Sequence, residues 1–401
     1  MQGRETRMAK DNLIIWNLTR SCNFQCPYCY FPHDASPVKV QFPLEKLESF
    51  LASTGKEWVI GMTGGEPFLY PGFLDICERL TRNHIIRIDT NLSLLNRVRE
   101  FTERIDPARV RDLYVSLHIE ERERKGGVET FIEAANLLKE KGFIFKVNYV
   151  LHPNLVSRFA QDKEFYGGRG VELTPRPFKG IFENKVYPTA YSDEAKAHFK
   201  GFEDAGKKMV FNFQGVPCEG GRSFIRLDPD GAVFRCSGDR TVLGNLNDSV
   251  TLNTEAEPCR VPRCPCQGSN WTIMTPAQER FVEGMQHFVT GDLDKAGTAF
   301  QEAAAMEPRL SNAVNNLGVV HSRRGEIEDA LRCFENSLEM SPNNRLYASN
   351  LAQALVACGR EREAETLCGV LDAGQGSPDE GNAPDPEVSN IVDPDAAQTL
   401  P

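Results

Sequence analysis

Three cysteines lie within eight residues near the start of the sequence, at Cys22, Cys26 and Cys29. Pro27 follows the second of them and prevents a helix from running through the segment, so we predict a loop. Thiolates select zinc, copper(I) or iron–sulfur clusters. Structural zinc usually has four ligands, whereas a cubane held by three thiolates keeps one iron with an open coordination position. An open metal position is a place where chemistry occurs.

The spacing Cys-x3-Cys-x-Tyr-Cys, with Tyr28 before the last cysteine, resembles the motif of the radical S-adenosylmethionine (SAM) superfamily. The resemblance implies that Cys22, Cys26 and Cys29 hold a catalytic [4Fe–4S] cluster whose open iron chelates the amino and carboxylate groups of SAM. The reduced cluster of that family cleaves SAM to a 5′-deoxyadenosyl radical, which takes a hydrogen from the substrate. A reductant such as flavodoxin or ferredoxin is implied as well. From ligand chemistry alone, the alternative is a zinc loop completed by a distant ligand.

A second motif, Gly64-Gly65-Glu66-Pro67, follows the second predicted strand. The two glycines let the backbone approach a ligand closely, and the carboxylate of Glu66 can accept hydrogen bonds from an ammonium group. The resemblance assigns this motif to the amino group of SAM. Without the cysteine loop before it, such a turn would more often be only a strand-to-helix connection.

Polar residues also follow later strands. Asn91 and Ser116 are candidates for the sugar or carboxylate of SAM, as implied by the resemblance, although such residues also start turns and cap helices. His118 is either a hydrogen-bonded structural residue or an active-site group. Arg176, between two prolines, is either a ligand for a carboxylate of SAM or substrate, or an exposed loop arginine.

The first half of the sequence alternates strand and helix patterns. This order predicts an α/β fold with parallel strands and right-handed crossovers. About six units suit a partial (β/α)6 barrel, which is also the fold of the resembled superfamily, and ligands bind at the carboxyl ends of such strands. The predicted strands are 13–18, 58–62, 85–89, 113–118, 143–151 and 171–174, and the predicted helices are 43–54, 71–82, 94–105, 128–141 and 192–208.

Five more cysteines follow the predicted barrel. The turn Asp-Pro-Asp-Gly at 228–231 lies between two apolar runs, 224–227 and 232–236, and predicts a β-hairpin flanked by Cys218 and Cys236. Five thiols in so short a region indicate a bound metal, for which zinc is one alternative. The metal ligands predicted for this region are Cys218, Cys236, Cys259, Cys264 and Cys266.

The pattern Cys218-x12-Gly231-x4-Cys236 resembles the start of the SPASM/Twitch extension of radical SAM enzymes. The resemblance implies an auxiliary [4Fe–4S] cluster. The full SPASM pattern has seven cysteines for two clusters, so five cysteines favour one auxiliary cluster, and the spacing does not decide which two of the last three bind it. Asp239 is either a substrate base in that pocket or a turn residue.

From residue 277 the sequence repeats every 34 residues. Gly284 and Phe300 recur as Gly318 and Phe334, and Cys368 takes the aromatic position of a third, degenerate copy. The repeat resembles the tetratricopeptide repeat (TPR), whose helix pairs leave a groove open for a substrate peptide or a partner protein. The alternative is a stacking or dimerisation module. The cysteines predicted to be buried structural thiols are Cys77, Cys333, Cys358 and Cys368.

Length and charge limit the remaining possibilities. A chain of 401 residues is longer than a single hydrophobic core usually supports, so two or three domains are expected. A net charge of −10 argues against nucleic-acid binding. We predict neither a signal peptide nor a membrane-spanning segment, and therefore expect a cytoplasmic protein without a membrane partner. The predicted domains are a barrel at 1–190, an auxiliary-cluster region at 191–274, repeats at 275–372 and a disordered acidic tail at 373–401.

The predicted reaction is hydrogen abstraction from a peptide or protein side chain, as in peptide modification or protein maturation. A small-molecule substrate such as a sugar or cofactor precursor, with the repeats recruiting a partner protein, is the first alternative. The second is a non-catalytic scaffold stabilised by metal.

Overall fold

The computed structural model describes residues 11–29, 42, 44–187, 190–199, 213–261, 264, 271–289 and 291–373. The chain forms two compact units. Unit 1 comprises Met1–Lys200 and Glu219–Glu257, and unit 2 comprises Gly201–Cys218 and Pro258–Pro401. Among the described helices, none has the length and apolar character needed to cross a membrane.

A nine-stranded sheet forms the centre of unit 1. Six of its strands run parallel to one another and are neighbours in chain order, which requires a crossover connection between each pair. The predicted α/β architecture is therefore confirmed. These strands are β1 (Asn12–Thr19), β2 (Trp58–Gly64), β3 (Ile85–Thr90), β4 (Val110–Ser116), β5 (Phe145–Leu151) and β6 (Leu173–Pro177).

Helices connect these strands and cover one face of the sheet. In the first helix, Leu44, Leu47 and Leu51 are buried, which is the spacing of an amphipathic helix with one apolar side. The predicted helix at 192–208 ends at Ala197, and residues 200–212 lie outside the described part of the chain. The helices of unit 1 are α1 (Leu44–Ser53), α2 (Phe73–Thr81), α3 (Leu95–Arg104), α4 (Ile119–Arg124), α5 (Val128–Glu140), α6 (Phe159–Gly167) and α7 (Asp193–Ala197).

The predicted hairpin is present, and it extends the main sheet. Its first strand pairs in parallel with β1, and the two strands that follow add in antiparallel order. The turn closes through a hydrogen bond from the Gly231 N–H to the Asp228 carbonyl, with Gly231 at φ +83°. The strands after β6 are β7 (Gly180–Phe182), β8 (Lys185–Tyr187), β9 (Pro217–Cys218), β10 (Phe224–Leu227), β11 (Ala232–Phe234), β12 (Val242–Asn245) and β13 (Glu257–Pro258).

The two faces of the sheet differ in composition. Along β5, Tyr149 is buried and its ring contacts that of Phe159 in α6, with centroids 5.0 Å apart. Lys146 and Asn148 point to the opposite face, because side chains alternate along a strand, and neither is buried. We call this second face, away from the helices, the inner face. Its polar residues are those expected of a binding surface and not of a core.

Unit 2 contains three helix pairs. Equivalent helices begin 34 or 35 residues apart, as the sequence period predicts. A Cβ atom at Gly284 would lie 2.7 Å from the ring of Phe300, and one at Gly318 would lie 2.7 Å from the ring of Phe334. The glycine and the aromatic residue therefore recur together because the rings occupy the space of the missing side chains. The pairs consist of α8 (Pro276–Val289), α9 (Leu293–Met306), α10 (Ser311–Arg323), α11 (Ile327–Met340), α12 (Arg345–Ala357) and α13 (Glu361–Ala373).

The cysteines outside the two clusters differ in burial. Cys77 in α2 is buried, as predicted, and Cys333 is only partly buried. Cys358 is exposed, so the prediction of a buried thiol is wrong there. It lies just past the end of α12, where its Sγ is 3.2 Å from the Leu355 carbonyl oxygen and the helix no longer holds it against the core. The predicted tail was 373–401, and Ala373 still belongs to the last described helix. The side chain of Cys368 and residues 374–401 lie outside the described part of the chain.

Candidate active site

The loop with the first three cysteines begins where β1 ends. Cys26 is buried, Cys22 is partly buried and Cys29 is exposed. The Cys29 N–H donates to the Cys26 carbonyl over 3.1 Å, which closes a turn between the two thiols. Burial raises the pKa of Cys26 to about 12, so a metal would have to supply the positive charge that stabilises its thiolate.

The three sulfurs do not all lie close enough to bind one metal ion as they stand. Among the described residues, Cys22, Cys26 and Cys29 do not form a group whose ligand atoms all lie within 4.8 Å of one another. Two sulfurs on one zinc, each about 2.3 Å from the metal, are at most about 4.6 Å apart. A donor set of three thiolates is the one that a cubane iron–sulfur cluster with one open iron position requires.

The Gly64-Gly65 motif at the end of β2 lies against the start of the cysteine loop. The Gly65 N–H donates to the Thr19 carbonyl over 2.8 Å, and the Glu66 N–H donates to the Ser21 carbonyl over 2.9 Å. A Cβ atom at Gly65 would lie 1.9 Å from the Ser21 carbonyl oxygen. Only glycine fits this contact, so the motif fixes the position of the loop next to it.

Glu66 is buried and connects the ends of β2 and β3. One carboxylate oxygen accepts hydrogen bonds from the Phe68 N–H at 3.1 Å and the Thr90 hydroxyl at 2.7 Å. The other accepts from the Asn91 N–H at 2.7 Å. Burial raises the pKa of Glu66 to about 7. Protein donors therefore already surround the carboxylate that we expected to face an ammonium group.

Asn91 fastens the cysteine loop to the end of β3. Its side-chain amide donates to Asn23 Oδ1 over 2.9 Å and lies 3.9 Å from Cys22 Sγ. The Asn23 amide in turn donates to the hydroxyl of Ser93 over 2.8 Å. Ser116 lies at the end of β4, on the inner face and partly buried. The carboxyl ends of β1 to β4 thus bring together the residues predicted to bind cluster and SAM.

Tyr28 lies between two histidines. Its hydroxyl is 3.2 Å from His118 Nδ1, and its ring stacks on that of His152 with centroids 5.9 Å apart. His118 has left-handed backbone angles, φ 48° and ψ 59°, and burial lowers its pKa to about 4, which keeps the imidazole neutral. His152 was not among the site residues predicted from the sequence, although its position directly after β5 is the same signal that identified Asn91 after β3.

Helix α4 was not predicted from the sequence either, and it contacts the cysteine loop. The Glu121 carboxylate accepts a hydrogen bond from the Gln25 N–H at 2.9 Å. The Arg122 guanidinium is buried, donates to the Leu117 carbonyl over 2.9 Å and lies 5.2 Å from the centre of the Phe24 ring. Two neighbouring residues of a charged helix therefore hold the cysteine loop from the side of β4.

Arg176 is part of β6. Its Nε donates to Asn148 Oδ1 over 2.9 Å, and the side chain is partly buried. In the register of β5 and β6, Asn148 pairs with Thr174 and Val150 pairs with Arg176. Because paired residues point to the same face of a sheet, Arg176 lies on the inner face. The alternative of an exposed loop arginine is therefore wrong, because Thr174 to Pro177 continue the sheet as its edge strand, where proline is tolerated.

The later cysteines belong to both units. In unit 2, Cys218 and Cys259 are buried, and the Cys259 N–H donates to the Val216 carbonyl over 2.8 Å. Cys264 is partly buried, and Cys266 lies outside the described residues. In unit 1, Cys236 is partly buried and follows β11.

Asp239 closes the turn after Cys236. Its N–H lies 3.1 Å from Cys236 Sγ, and its carboxylate accepts hydrogen bonds from the Thr241 N–H at 3.0 Å and from Arg235 at 2.9 Å. These bonds lower the pKa of Asp239 against the opposing effect of burial. Of the two alternatives for Asp239, the geometry therefore supports the turn residue and does not suit the substrate base.

Comparison with known families identifies the first half of unit 1. The sequence profile described as Radical SAM superfamily matches residues 16–158. The chain carries a radical SAM domain. A tetratricopeptide repeat profile matches residues 311–341, within the helix pairs of unit 2. As a radical SAM enzyme, the protein is expected by its family to use a [4Fe–4S] cluster and SAM, and the three-thiol loop has the donor set for that cluster.

Two curated relatives resemble the chain over more than half its length. The PqqA peptide cyclase of Granulibacter bethesdensis is 25% identical over 259 residues, covering 58% of this chain and 69% of the relative. The AdoMet-dependent heme synthase of Methanosarcina barkeri is 24% identical over 282 residues, covering 59% of this chain and 79% of the relative. A solved structure described as native anSMEcpe with bound AdoMet aligns at 17% identity and a TM-score of 0.45, covering 60% of this chain and 78% of that one.

Proposed function

We propose that this radical SAM enzyme abstracts a hydrogen atom from a side chain of a peptide or protein substrate. The observation that carries the proposal is the similarity of 259 residues to a peptide cyclase, in a chain that also contains a protein-binding type of repeat. In this proposal Cys22, Cys26 and Cys29 hold the cluster. When bound and reduced, the cluster supplies the electron that cleaves SAM to the radical that attacks the substrate.

The residues of this chain position the reactants. The backbone oxygens of Gly64 and Gly65 receive the ammonium of SAM, and Glu66 holds that turn against the end of β3. Asn91 keeps the cysteine loop in place, while Ser116 and the ring of Tyr28 line the site of the nucleoside. The protein's contribution is geometry and the exclusion of water and oxygen from a reactive intermediate.

We also propose one auxiliary [4Fe–4S] cluster, held by Cys218, Cys236 and two of Cys259, Cys264 and Cys266. The number of cysteines in this short region supports a metal role, since thiolates select zinc, copper(I) or iron–sulfur clusters. The cluster would accept an electron from a product radical or bind the substrate directly. Iron analysis tests this proposal: about eight irons per chain are expected for two cubanes, and about four for one.

The tetratricopeptide repeats would bind the substrate peptide or a partner protein that delivers it. Stacked helix pairs leave a groove suited to an extended peptide. The measurement is photo-crosslinking of the intact holoenzyme to its substrate, followed by mapping of the attachment sites. Crosslinks within 276–373 are expected, and crosslinks confined to unit 1 would contradict this role.

The test of the reaction is anaerobic. Reconstituted enzyme with dithionite should release 5′-deoxyadenosine from SAM, and Cys26→Ala should abolish this release. Cys358→Ala is the matched control, because it removes an exposed thiol outside the proposed clusters. After incubation with the enzyme, a substrate peptide from the source proteome should have a mass lower by two hydrogens, as measured by mass spectrometry. Protein that binds zinc and leaves SAM intact would refute the proposal.

A small-molecule substrate is the second candidate. The similarity to an AdoMet-dependent heme synthase, which spans 79% of that relative, favours it. In that case the repeats would recruit a partner protein. Turnover of a cofactor precursor without any modified peptide would decide for this candidate.

A further inference from the structure

The inner face of β5 and β6 carries a preorganised guanidinium. Arg176 Nε donates to Asn148 Oδ1 over 2.9 Å, and this bond fixes the plane of the side chain. The two Nη groups donate to no other described residue. Pro175 and Pro177 restrict the backbone on either side. The guanidinium is therefore held in one orientation, and its two Nη groups remain available to a ligand.

Two arginines on other strands of the same sheet already have carboxylate partners. Arg87 Nε of β3 lies 3.3 Å from Asp112 Oδ1, and Arg226 Nε of β10 donates to Asp228 Oδ1 over 2.8 Å. Among the described residues, Arg176 has no such partner. A partly buried guanidinium without a counter-ion is a natural carboxylate site, since its planar fork matches a carboxylate with two parallel hydrogen bonds.

A second positive charge lies on the same wall. Lys146 is on the inner face of β5, two residues before Asn148, and its side chain is exposed. Thr174 pairs with Asn148 in register and contributes a hydroxyl to the same surface. The wall formed by Lys146, Asn148, Thr174 and Arg176 is thus cationic and rich in hydrogen-bond donors. An anionic group is the ligand that such a wall recognises.

The position of this wall separates it from the methionine end of SAM. The cysteine loop and Gly65 lie at the ends of β1 and β2, whereas Arg176 lies on β6. Four strand spacings separate β2 from β6, or about 19 Å measured along the sheet. The carboxylate of SAM, in the proposed function, is bound at the cluster. A carboxylate at Arg176 must then come from another molecule.

We propose that Arg176, oriented by Asn148, binds a carboxylate of the substrate, and that the enzyme therefore selects peptides with an acidic side chain or a free C-terminal carboxylate near the reacting residue. The inference rests on the proposed function, because it takes the inner face as the substrate surface.

The experiment measures binding and does not depend on turnover. Anaerobically reconstituted holoenzyme with SAM is incubated with a random-sequence peptide library, and bound peptides are sequenced. Wild type should enrich acidic residues or free C-termini, and Arg176→Gln should reduce that enrichment by about tenfold or more, as expected for charged hydrogen bonds. Arg176→Lys, which keeps the charge and loses the fork, should retain part of the enrichment.

A control variant and a second test variant complete the experiment. Arg97→Gln removes an arginine on the outside, in α3, where the side chain is 44% exposed, and should leave the enrichment unchanged. Asn148→Ala leaves the guanidinium but removes its orienting bond, and should lower the enrichment without unfolding the sheet. An absence of acidic preference in wild type, or an equal preference in Arg176→Gln, overturns the inference.

The source of the carboxylate is tested separately. Affinity for SAM, measured by equilibrium dialysis of the holoenzyme, should stay within about twofold in Arg176→Gln. A loss of SAM affinity of tenfold or more would assign the site to SAM and overturn the substrate assignment. Failure of wild type to release 5′-deoxyadenosine would instead refute the proposed function, so the two failures are distinguishable.

Discussion

Replacement of Gly65 by alanine should displace the cysteine loop. The Cβ atom would lie 1.9 Å from the Ser21 carbonyl oxygen, whereas real Cβ contacts essentially never fall below 3.0 Å. The two segments must therefore separate by at least 1.1 Å (3.0 minus 1.9). Neither neighbour is a flexible side chain that could move away. Since Cys22 directly follows Ser21, the displacement is transmitted to the first proposed cluster ligand.

The energetic cost follows from the same contacts. Overpacking of this kind costs about 1–3 kcal/mol. The separation also breaks or lengthens the Gly65–Thr19 and Glu66–Ser21 backbone bonds, at about 0.5–1.5 kcal/mol each. The total of about 2–6 kcal/mol is smaller than the stability of many domains, so the protein should still fold. Its cluster, however, should be bound poorly because the ligand geometry has changed.

The assay combines anaerobic urea unfolding with iron analysis after reconstitution. Gly65→Ala should unfold at lower urea and retain less iron at the first site than wild type. Gly167→Ala is the matched control, because a Cβ atom there meets nothing within 4 Å. If Gly65→Ala unfolds within about 0.5 kcal/mol of wild type and binds as much iron, the steric argument for this motif is refuted.

Three other changes have defined outcomes. Because burial raises the pKa of Glu66 to about 7 from 4.5, the fold favours its protonated form. The contribution of Glu66 to stability is then complete below pH 4.5, and about 3 kcal/mol should be lost as the pH rises past 7. Glu66→Gln should remove this part of the pH dependence in urea unfolding of the metal-free protein. Arg122→Met removes a buried positive charge beside Phe24 and should lower the reduction potential of the cluster. Each tenfold decrease in the ratio of reduced to oxidised cluster corresponds to a shift of about 60 mV. A redox titration monitored by electron paramagnetic resonance measures the shift, and Arg122→Lys should restore the potential. Gly318→Ala places a methyl group 2.7 Å from the Phe334 ring and should destabilise the repeats by about 1–3 kcal/mol; an unchanged thermal midpoint would contradict the packing described above.

The sequence predicted those features that depend on local pattern. Apolar runs and proline or glycine boundaries located the six parallel strands, and the spacing of glycine and aromatic residues located the repeats. The turn at 228–231 predicted a hairpin. It did not predict that the first strand of the hairpin, β10, would pair with β1. That pairing joins residues about 210 positions apart, and no local pattern in either strand specifies its partner.

The structure shows where the predicted site residues lie, and their roles toward cluster and SAM stay predictions. Spacing found Cys22, Glu66 and Asn91, yet it indicated a ligand role for the Glu66 carboxylate, which the structure shows bonded to protein donors from a strand 24 residues away. Arg122 was missed because a run of alternating charges is typical of a solvated helix. Only the fold shows that Arg122 turns inward, where it lies against Phe24.

The place of β10 beside β1 has a consequence for synthesis of the protein. Leu13 pairs with Phe224, so the apolar strand β1 gains its second neighbour only after 211 further residues have been made. At about 5–20 residues per second, the ribosome needs roughly 10–40 s for that interval. During this time one edge of a very hydrophobic strand has no partner, and such edges readily pair with other chains. The nascent chain should therefore depend on chaperones until the hairpin emerges, and translation stalled before residue 224 should yield aggregates.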